Sequence, residues 1–436
     1  MRTLTGYLWV LLIAGFPAVH NAQVQCSNDS TGLVPLTDMG ASFYENVQGG
    51  LYPNGLNYLT GKHKKNGINI SKALKPLDTL GNIDYLNGEI IILGLGASVA
   101  SNAYNAYLDS LHFYEWEGVN NCLSLKGMFA GGKDLTTMVD LSDYTYWRNI
   151  RLRMQDRGDT YEQVQLIWLL QNSDFDTTSV FSDYYNAVLA KYISLMQILK
   201  DTFPNLKQVY ISSMHYGGYI DPTHVRYPAL HEPRTYWNGL VVKDLISKQI
   251  NGDPTLKFSG PNPQAAWLCW GPYFWADGMN PRKTDGLSWS CDQYRNDPVG
   301  GGFHLVDSAY ALGVEAQMLW DFFTTDPVAS IWHNSGDLWT ACPEFQKNPA
   351  LRSRQTLLIY PNPASGHHFT ILLPEAPKAD LLLEVYSLSG QSLFSSVYPD
   401  SIGKVIALDL DLPNGICVIR AITGRDHWEG KVRVGE

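Results

Sequence analysis

The sequence predicts an α/β domain, in which helices cover both faces of a parallel sheet, followed by a small β-sandwich. Short apolar runs rich in β-branched residues recur from residue 88 onward, and stretches with apolar residues at helical spacing separate them. This alternation is typical of a parallel sheet whose strands are buried on both faces. After residue 358 the helical spacing disappears, and short alternating runs between Gly and Pro turns indicate a β-sandwich.

The elements of the α/β domain follow a loop-rich segment over residues 23–88. The predicted strands are three short apolar runs, over residues 89–94, 163–169 and 206–213. The predicted helices cover residues 102–111, 144–157, 181–203, 241–249 and 308–323. In sheets of this kind ligands bind beyond the carboxyl ends of the strands, so functional residues are expected there.

Composition and charge exclude several classes of function. The chain has 436 residues, of which 45% are hydrophobic and 17% charged, as in a packed protein. Its formal charge of −10 and the absence of a local Lys/Arg cluster argue against nucleic acid as a partner. The glycine-rich turn at Gly94 and Gly96 does not continue as a dinucleotide motif, because Val99 stands where the third glycine belongs. We predict no cofactor.

The first 22 residues are predicted to be a signal peptide. Arg2 gives a positive start, residues 7–16 form a short apolar stretch, and Ala22 supplies a small residue for cleavage. The apolar stretch is shorter than the ~20 residues that cross a bilayer, so no transmembrane segment is predicted. The mature protein is therefore expected outside the cytoplasm.

Six cysteines would remain after cleavage, and none has the C-x-x-C spacing of a zinc or redox site. Because export permits disulfides, a bond between Cys269 and Cys291 is expected to staple the Trp-, Gly- and Pro-rich segment between them. A metal site at His224 and His231 lacks further ligands at a suitable spacing, so we predict no metal.

The C-terminal module carries four motifs in order: Tyr-Pro-Asn-Pro at 360–363, and the segments 385–391, 412–420 and 431–434. With these motifs the module resembles the sorting domain of type IX secretion cargo; a generic β-sandwich or carbohydrate-binding module is the alternative. The resemblance implies contact with the type IX secretion machinery, and release from or attachment to the outer surface of a Gram-negative bacterium. The predicted organisation is a signal peptide over 1–22, an α/β domain over 23–345, a linker over 346–357 and the sorting module over 358–436.

Ser98 is the first candidate catalytic residue. It follows a buried strand in a glycine-rich turn before a predicted helix, where backbone N–H groups favour a developing oxyanion. Serine is also an ordinary helix N-cap, so the position alone does not decide between the two roles. The α/β-hydrolase elbow G-x-S-x-G is excluded, because Ala100 replaces its last glycine.

Downstream residues supply the other parts of an acyl-transfer site. The order of a serine, a glycine turn, carboxamides after the next strand and a late histidine is that of SGNH hydrolases. The segments 193–219, 232–243, 270–289 and 322–332 resemble an uncharacterised secreted family of that type, over residues 35–335. The resemblance implies a flavodoxin-like fold and a set of roles: Ser98 as nucleophile, His304 as general base, Gly131 or Gly132 as oxyanion donor, and Gln171 or Asn172 as the carboxamide.

Two positions depart from the SGNH pattern. Ala97 replaces the aspartate of G-D-S, which is not the nucleophile. Gly301 stands where D-x-x-H needs the aspartate that orients the histidine. Three possibilities remain open: Asp297 substitutes for it, a backbone carbonyl orients His304, or the site is inactive.

The sequence therefore predicts a secreted serine ester hydrolase that removes acyl groups from polysaccharide. The alternative is a catalytically silent carbohydrate-binding or cell-surface protein that kept the fold. The aromatic residues over 267–289 fit either a sugar platform or core packing. A glycosidase that uses Asp277 and Asp285 has no support beyond the presence of two carboxylates.

Overall fold

The computed structural model describes residues 24–113, 118–173, 176–336, 357–360, 364, 368–373, 376–377, 379–387, 392–399, 401, 403–423 and 426–435. The predicted signal peptide, nearly all of the predicted linker and parts of the first two C-terminal motifs lie outside these ranges. Among the described residues, no helix is both long and apolar enough to cross a membrane. The chain divides between Cys342 and Pro343 into two units.

The first unit is built on a five-stranded parallel sheet. Its strands are β3 (Ile90–Gly96), β4 (Leu123–Gly127), β5 (Val164–Leu170), β6 (Gln208–Ser213) and β7 (Trp267–Tyr273), in the spatial order β4-β3-β5-β6-β7. Every residue of β3, β5, β6 and β7 is buried, as expected for strands of a parallel sheet that is covered on both faces. A short hairpin precedes the sheet, formed by β1 (Phe43–Tyr44) and β2 (Val47–Gln48).

Helices cover both faces of this sheet. They are α1 (Leu36–Met39), α2 (Gly61–Ala73), α3 (Ser98–Phe113), α4 (Leu135–Val139), α5 (Thr145–Gln155), α6 (Phe181–Thr202), α7 (Tyr227–Leu230), α8 (Arg234–Ile250), α9 (Leu312–Thr325) and α10 (Ala329–His333). The chain passes from β3 to β4 in one direction across the sheet and from β5 to β6 in the other, so right-handed crossovers place α3 and α6 on opposite faces. Accordingly α9 packs on α3, and α8 packs on α6.

The structure confirms the α/β class and adds two strands that the sequence did not predict. Strand β4 is only partly buried and includes Lys126, so its sequence lacks the apolar run that predicts a buried strand. Strand β7 contains Gly271 and Pro272, which are turn residues in most contexts. It forms one edge of the sheet, where proline is tolerated.

The predicted Cys269–Cys291 disulfide is wrong. Cys269 lies within β7 with its thiol buried and free, whereas Cys291 is bonded to Cys26. The bond ties the N-terminal segment to the loops that follow β7. Asp277 fixes the same segment, because its carboxylate accepts hydrogen bonds from the backbone N–H groups of Thr31 and Gly32 at 2.7 and 2.9 Å.

The second unit consists of antiparallel sheets, as the alternating pattern predicts. Its strands are β8 (Leu358–Tyr360), β9 (His368–Leu372), β10 (Leu381–Ser387), β11 (Ser392–Tyr398), β12 (Val405–Asp409), β13 (Gly415–Thr423) and β14 (Asp426–Val434). Two sheets have the orders β11-β10-β13-β14 and β12-β9-β8. Alternate residues of β10, namely Leu381, Leu383 and Val385, point into a core of their own.

Candidate active site

Ser98 lies at the carboxyl edge of the sheet, at the first residue of α3. The chain turns sharply there because Gly96 adopts a φ of +144°, and a Cβ on that glycine would lie 2.2 Å from the carbonyl oxygen of Leu170. The strand before Ser98 lies between β4 and β5, so the serine stands where the strand order reverses. Its side chain is half-buried, and the unpaired N–H groups of the first turn of α3 surround it with positive potential.

His304 contacts Ser98 directly. Its Nε2 lies 2.7 Å from the Ser98 Oγ, and its Nδ1 lies 3.2 Å from the carbonyl oxygen of Val299. A carbonyl oxygen can only accept a hydrogen bond, so Nδ1 carries the proton and Nε2 is left as the acceptor for the serine hydroxyl. This is the tautomer that a general base requires.

Asp297 does not orient the imidazole, so the prediction that its carboxylate would substitute for the missing aspartate is wrong. The carboxylate accepts hydrogen bonds from the N–H groups of Val299 and Gly300, at 2.9 and 2.7 Å, and from the Arg295 guanidinium. The Asp297 carboxylate therefore stabilises the turn that contains Val299. The carbonyl group of Val299 faces His304. Of the two ways of orienting the histidine that the sequence left open, the backbone carbonyl is the one observed.

Position 301 has no room for an aspartate. Gly301 adopts a φ of +51°, and a Cβ there would lie 2.7 Å from the ring of His224. The packing and backbone conformation at Gly301 therefore exclude the aspartate of D-x-x-H.

Substitution of Asp297 distinguishes a turn-holding carboxylate from a triad carboxylate. One oxygen, Oδ1, accepts both backbone N–H groups, so Asp297→Asn can keep them and is expected to lower serine reactivity by less than about tenfold. A triad aspartate loses about 10⁴-fold on the same change. Asp297→Ala, which removes both acceptors, is expected to cost more than Asp297→Asn. The rate of fluorophosphonate labelling measures both, and a 10⁴-fold loss for Asp297→Asn would contradict this assignment.

Burial lowers the pKa of His304 to about 4, and nearby positive charge on His215 and Arg295 acts in the same direction. The hydrogen bond to Val299 and the charge of Asp297 oppose the shift. The imidazole is therefore neutral, and able to accept a proton, at any pH well above about 4.

The pH dependence follows from that pKa. Labelling of Ser98 is expected to be constant from about pH 8 down to about pH 5 and to fall only as the pH passes through about 4. Between pH 4 and 6.5 the unfolded chain binds more protons at this residue than the folded one, so this group makes folding less stable as the pH falls. Labelling rates measured across this range, with denaturation followed in parallel, test both statements. A half-maximal labelling rate near pH 6.5 would show an ordinary exposed histidine instead.

Gly131 and Gly132 form an exposed turn after β4, beside Ser98. The Lys133 N–H closes the turn on the Ala130 carbonyl at 3.1 Å, and the Ala130 N–H binds the Gly96 carbonyl at 3.0 Å, which fixes the turn to the end of β3. Gly132 has a φ of +70°. Within the described residues, the N–H groups of Gly131 and Gly132 have no acceptor, so both are available to an incoming oxyanion.

The two carboxamides after β5 have different environments. Gln171 donates to the Lys133 carbonyl at 3.1 Å and accepts from the Asn172 N–H at 3.0 Å, so it holds the glycine turn in place. Asn172 Nδ2 contacts only the weak acceptor Met214 Sδ at 3.0 Å, and its Oδ1 has no partner among the described residues. Of the two carboxamides, Asn172 is therefore the one whose Nδ2 donor has no strong acceptor.

The sequence did not predict a buried pair that contacts the peptide bond before His304. His215 Nδ1 lies 2.7 Å from Glu315 Oε1, and its Nε2 lies 2.9 Å from the Phe303 carbonyl oxygen. The signal available was a histidine two residues past β6, at the carboxyl edge of the sheet. Its partner is 100 positions away, on α9, and no local pattern connects the two.

The other residues that the sequence offered as candidates have structural roles. Trp267, Trp270, Trp275 and Trp289 are at most 1% exposed, so they are core residues rather than a sugar platform. Asp285 pairs with Arg282. Among the described residues, no group of three or more His, Cys, Asp or Glu side chains could hold a metal.

A cleft of about 470 Å³ lies between α9, residues 51–59 and the end of β7, and neither Ser98 nor His304 lines it.

No protein-family model and no curated protein matches this chain. Among solved structures, it is similar to a carbohydrate acetylesterase from Xanthomonas citri, with 8% identity, 76% of this chain and 75% of that one covered, and a TM-score of 0.28. It is also similar to an FMN-binding β-glucuronidase from Facaelibacterium prausnitzii, with 11% identity over 83% of this chain and a TM-score of 0.23. The chain covers 58% of the glucuronidase. Similarity at this level establishes neither a common fold nor a common activity.

Proposed function

We propose that this protein is a serine ester hydrolase of the SGNH type. One observation carries the proposal: the Ser98 hydroxyl lies 2.7 Å from His304 Nε2, and the Val299 carbonyl fixes the histidine in its accepting tautomer. A serine that is only a helix N-cap needs no such partner. The spatial order of the five strands supports the type, since counted along the chain it is 2-1-3-4-5, the flavodoxin-like order.

The residues support a two-step acyl transfer. Ser98 Oγ attacks the ester carbonyl carbon while its proton passes to His304 Nε2. The oxyanion that forms is stabilised by the N–H groups of Gly131 and Gly132, by the start of α3 and by the Asn172 carboxamide. His304 then protonates the departing alkoxide, which leaves an acyl-serine.

Hydrolysis of the acyl-serine repeats these roles with water. His304 takes a proton from the water molecule, whose oxygen attacks the acyl carbon. The second oxyanion collapses, the Ser98 oxygen leaves, and His304 returns the proton to it. The Val299 carbonyl stabilises the transient imidazolium by accepting a hydrogen bond from its Nδ1–H, in place of a carboxylate.

We propose acyl groups on polysaccharide as the substrate. Gly131 and Gly132 are exposed, so one side of the site is open to a bulky alcohol portion of an ester. The predicted export would place the protein among extracellular polymers. Release of acetate from acetylated polysaccharide, compared with a small acetate ester such as p-nitrophenyl acetate, tests the class. The wild type should release acetate and the Ser98→Ala variant should not; equal release by both would reject the proposal.

The second candidate is a catalytically silent surface or carbohydrate-binding protein with this fold. It is favoured by the glycine at position 301 and by a histidine that meets a carbonyl instead of a carboxylate. A folded wild type with no hydrolysis of any ester, but with retention on a polysaccharide column, would favour it.

We propose that the second unit is a type IX secretion sorting domain and that the protein reaches the outer surface of a Gram-negative bacterium. The motifs in their order and the antiparallel sheets support this. In a bacterium with this secretion system, deletion of residues 358–436 should leave the protein in the periplasm. Normal export of the shortened protein would contradict the assignment.

A further inference from the structure

His215 and Glu315 form a buried pair directly behind the proposed catalytic histidine. His215 is 1% exposed, and Glu315, in the first turn of α9, is fully buried. The imidazole lies between the Glu315 carboxylate and the Phe303 carbonyl. That carbonyl belongs to the peptide bond that leads into His304.

The geometry determines how many protons the pair shares. Nε2 of His215 faces a carbonyl oxygen, which only accepts, so this nitrogen carries a proton. The 2.7 Å contact between Nδ1 and Glu315 Oε1 needs a second proton, placed on one partner or the other. The pair is therefore neutral overall, either as an imidazolium with a carboxylate or as an imidazole with a carboxylic acid.

Two features favour the charged form. An imidazole is more basic than a carboxylate by about 2 pKa units, so the shared proton prefers the ring. Glu315 lies at the N-terminal end of α9, where the helix dipole stabilises a negative charge.

The pair completes the backbone anchoring of His304. The His304 N–H binds the Gly300 carbonyl at 3.1 Å, and its carbonyl accepts from the Arg295 N–H at 2.8 Å. His215 holds the remaining neighbour, the Phe303 carbonyl, at 2.9 Å. With these contacts the loop itself fixes the histidine, so no carboxylate on the ring is needed.

We infer that His215 and Glu315 are positioning residues of the proposed hydrolase: an ion pair that anchors the His304 backbone and places a fixed positive charge beside the catalytic imidazole. This inference rests on the proposed function. In D-x-x-H the aspartate orients the histidine by direct contact with its ring. Here the pair supplies part of that effect by anchoring the His304 backbone and by its electric field.

The fixed charge has a consequence for the basicity of His304. The charged groups that act on its ring are His215, Arg295 and Asp297. Arg295 and Asp297 are paired with each other and are both substantially exposed, so water screens them. His215 is buried and unscreened, and it lowers the pKa of His304 in addition to the larger effect of burial.

The Glu315→Gln variant separates charge from position. The glutamine amide can donate to His215 Nδ1, which leaves the ring neutral, while Nε2–H still donates to the Phe303 carbonyl. The anchor is kept and the positive charge is lost. A matched control is Glu232→Gln, which alters another buried carboxylate whose partners are Gly217, Thr235, Tyr236 and Trp275.

The experiment is an NMR titration of the histidine rings in protein carrying ¹³C,¹⁵N-labelled histidine, with His304 assigned from its absence in His304→Gln. In the wild type, the contacts of His215 predict a proton on both of its ring nitrogens. In Glu315→Gln, His215 should become neutral and the pKa of His304 should rise by about half a unit or more. Glu232→Gln should change neither.

A neutral His215 in the wild type would overturn the inference, and so would a folded Glu315→Gln variant whose His304 titrates as in the wild type. If Glu315→Gln does not fold, the wild-type His215 signals still decide the matter. These measurements need no catalysis. Fluorophosphonate labelling of the same samples tests the proposed function separately: an unlabelled wild type would reject the hydrolase, and the titration would still report on the charge of the pair.

Discussion

The His304→Gln variant is expected to lose ester hydrolysis by about 10²- to 10⁴-fold, the usual contribution of a general base. The Ser98 hydroxyl has no other base among its contacts in the described residues, since His304 Nε2 is its hydrogen-bond partner. Glutamine can keep a hydrogen bond to the serine but cannot take its proton at neutral pH.

Steady-state hydrolysis of an activated ester measures this loss. The matched control is His231→Gln, which removes a partly buried histidine that stacks on Tyr227 and lies outside the proposed site. The control should keep wild-type activity. Equal activity of His304→Gln and the wild type would remove His304 from the mechanism.

The Gly96→Ala variant is expected to lower the free energy of unfolding by about 3 kcal/mol. Two effects act together. A φ of +144° is open to glycine and strained for alanine, and the added Cβ would approach the Leu170 carbonyl oxygen to 2.2 Å and the Ala100 Cβ to 2.5 Å. Relief of this contact would have to move β3 away from β5 or displace the start of α3, so serine reactivity should fall as well.

Urea denaturation gives the change in free energy. Gly336→Ala is the matched control, because Gly336 has no heavy atom within 4 Å of an added Cβ and its φ is not in the left-handed range. That control should change stability by no more than about 0.5 kcal/mol. If Gly96→Ala unfolds at the same midpoint urea concentration as the wild type, the turn tolerates a side chain.

The sequence predicts the central strands of the sheet and misses those at its edges. Strands β3, β5 and β6 contain the apolar runs from which they were predicted, and all of their residues are buried. Strand β4, at one edge, keeps polar residues such as Lys126. Strand β7, at the other, includes Pro272, whose missing N–H matters little where one side of the strand has no neighbour.

The candidate site also contains residues that the sequence predicts and contacts that it does not. Ser98, Gly131 and His304 are predicted because each follows a strand or lies in a glycine-rich loop, which a sequence displays directly. The direction of the Asp297 carboxylate is not predicted, since it depends on the φ and ψ values of the turn that it closes. The disulfide of Cys26 with Cys291 spans 265 positions and depends on how the N-terminal segment runs across the sheet.

The orientation of His304 by a carbonyl has a chemical consequence. A carboxylate would stabilise the imidazolium with a full charge, whereas the Val299 carbonyl offers only a dipole. The low pKa of His304 is consistent with this weaker support. The proposed hydrolase is therefore expected to be slow, with activity that persists into mildly acidic solution.

The most direct test of Ser98 as an activated nucleophile is intact-mass analysis of the mature protein after treatment with a fluorophosphonate, which reacts with activated serines. We expect one adduct on the wild type, none on Ser98→Ala, and much slower labelling of His304→Gln. A folded wild type that gains no mass, or an adduct that persists in Ser98→Ala, would show that Ser98 is not such a nucleophile.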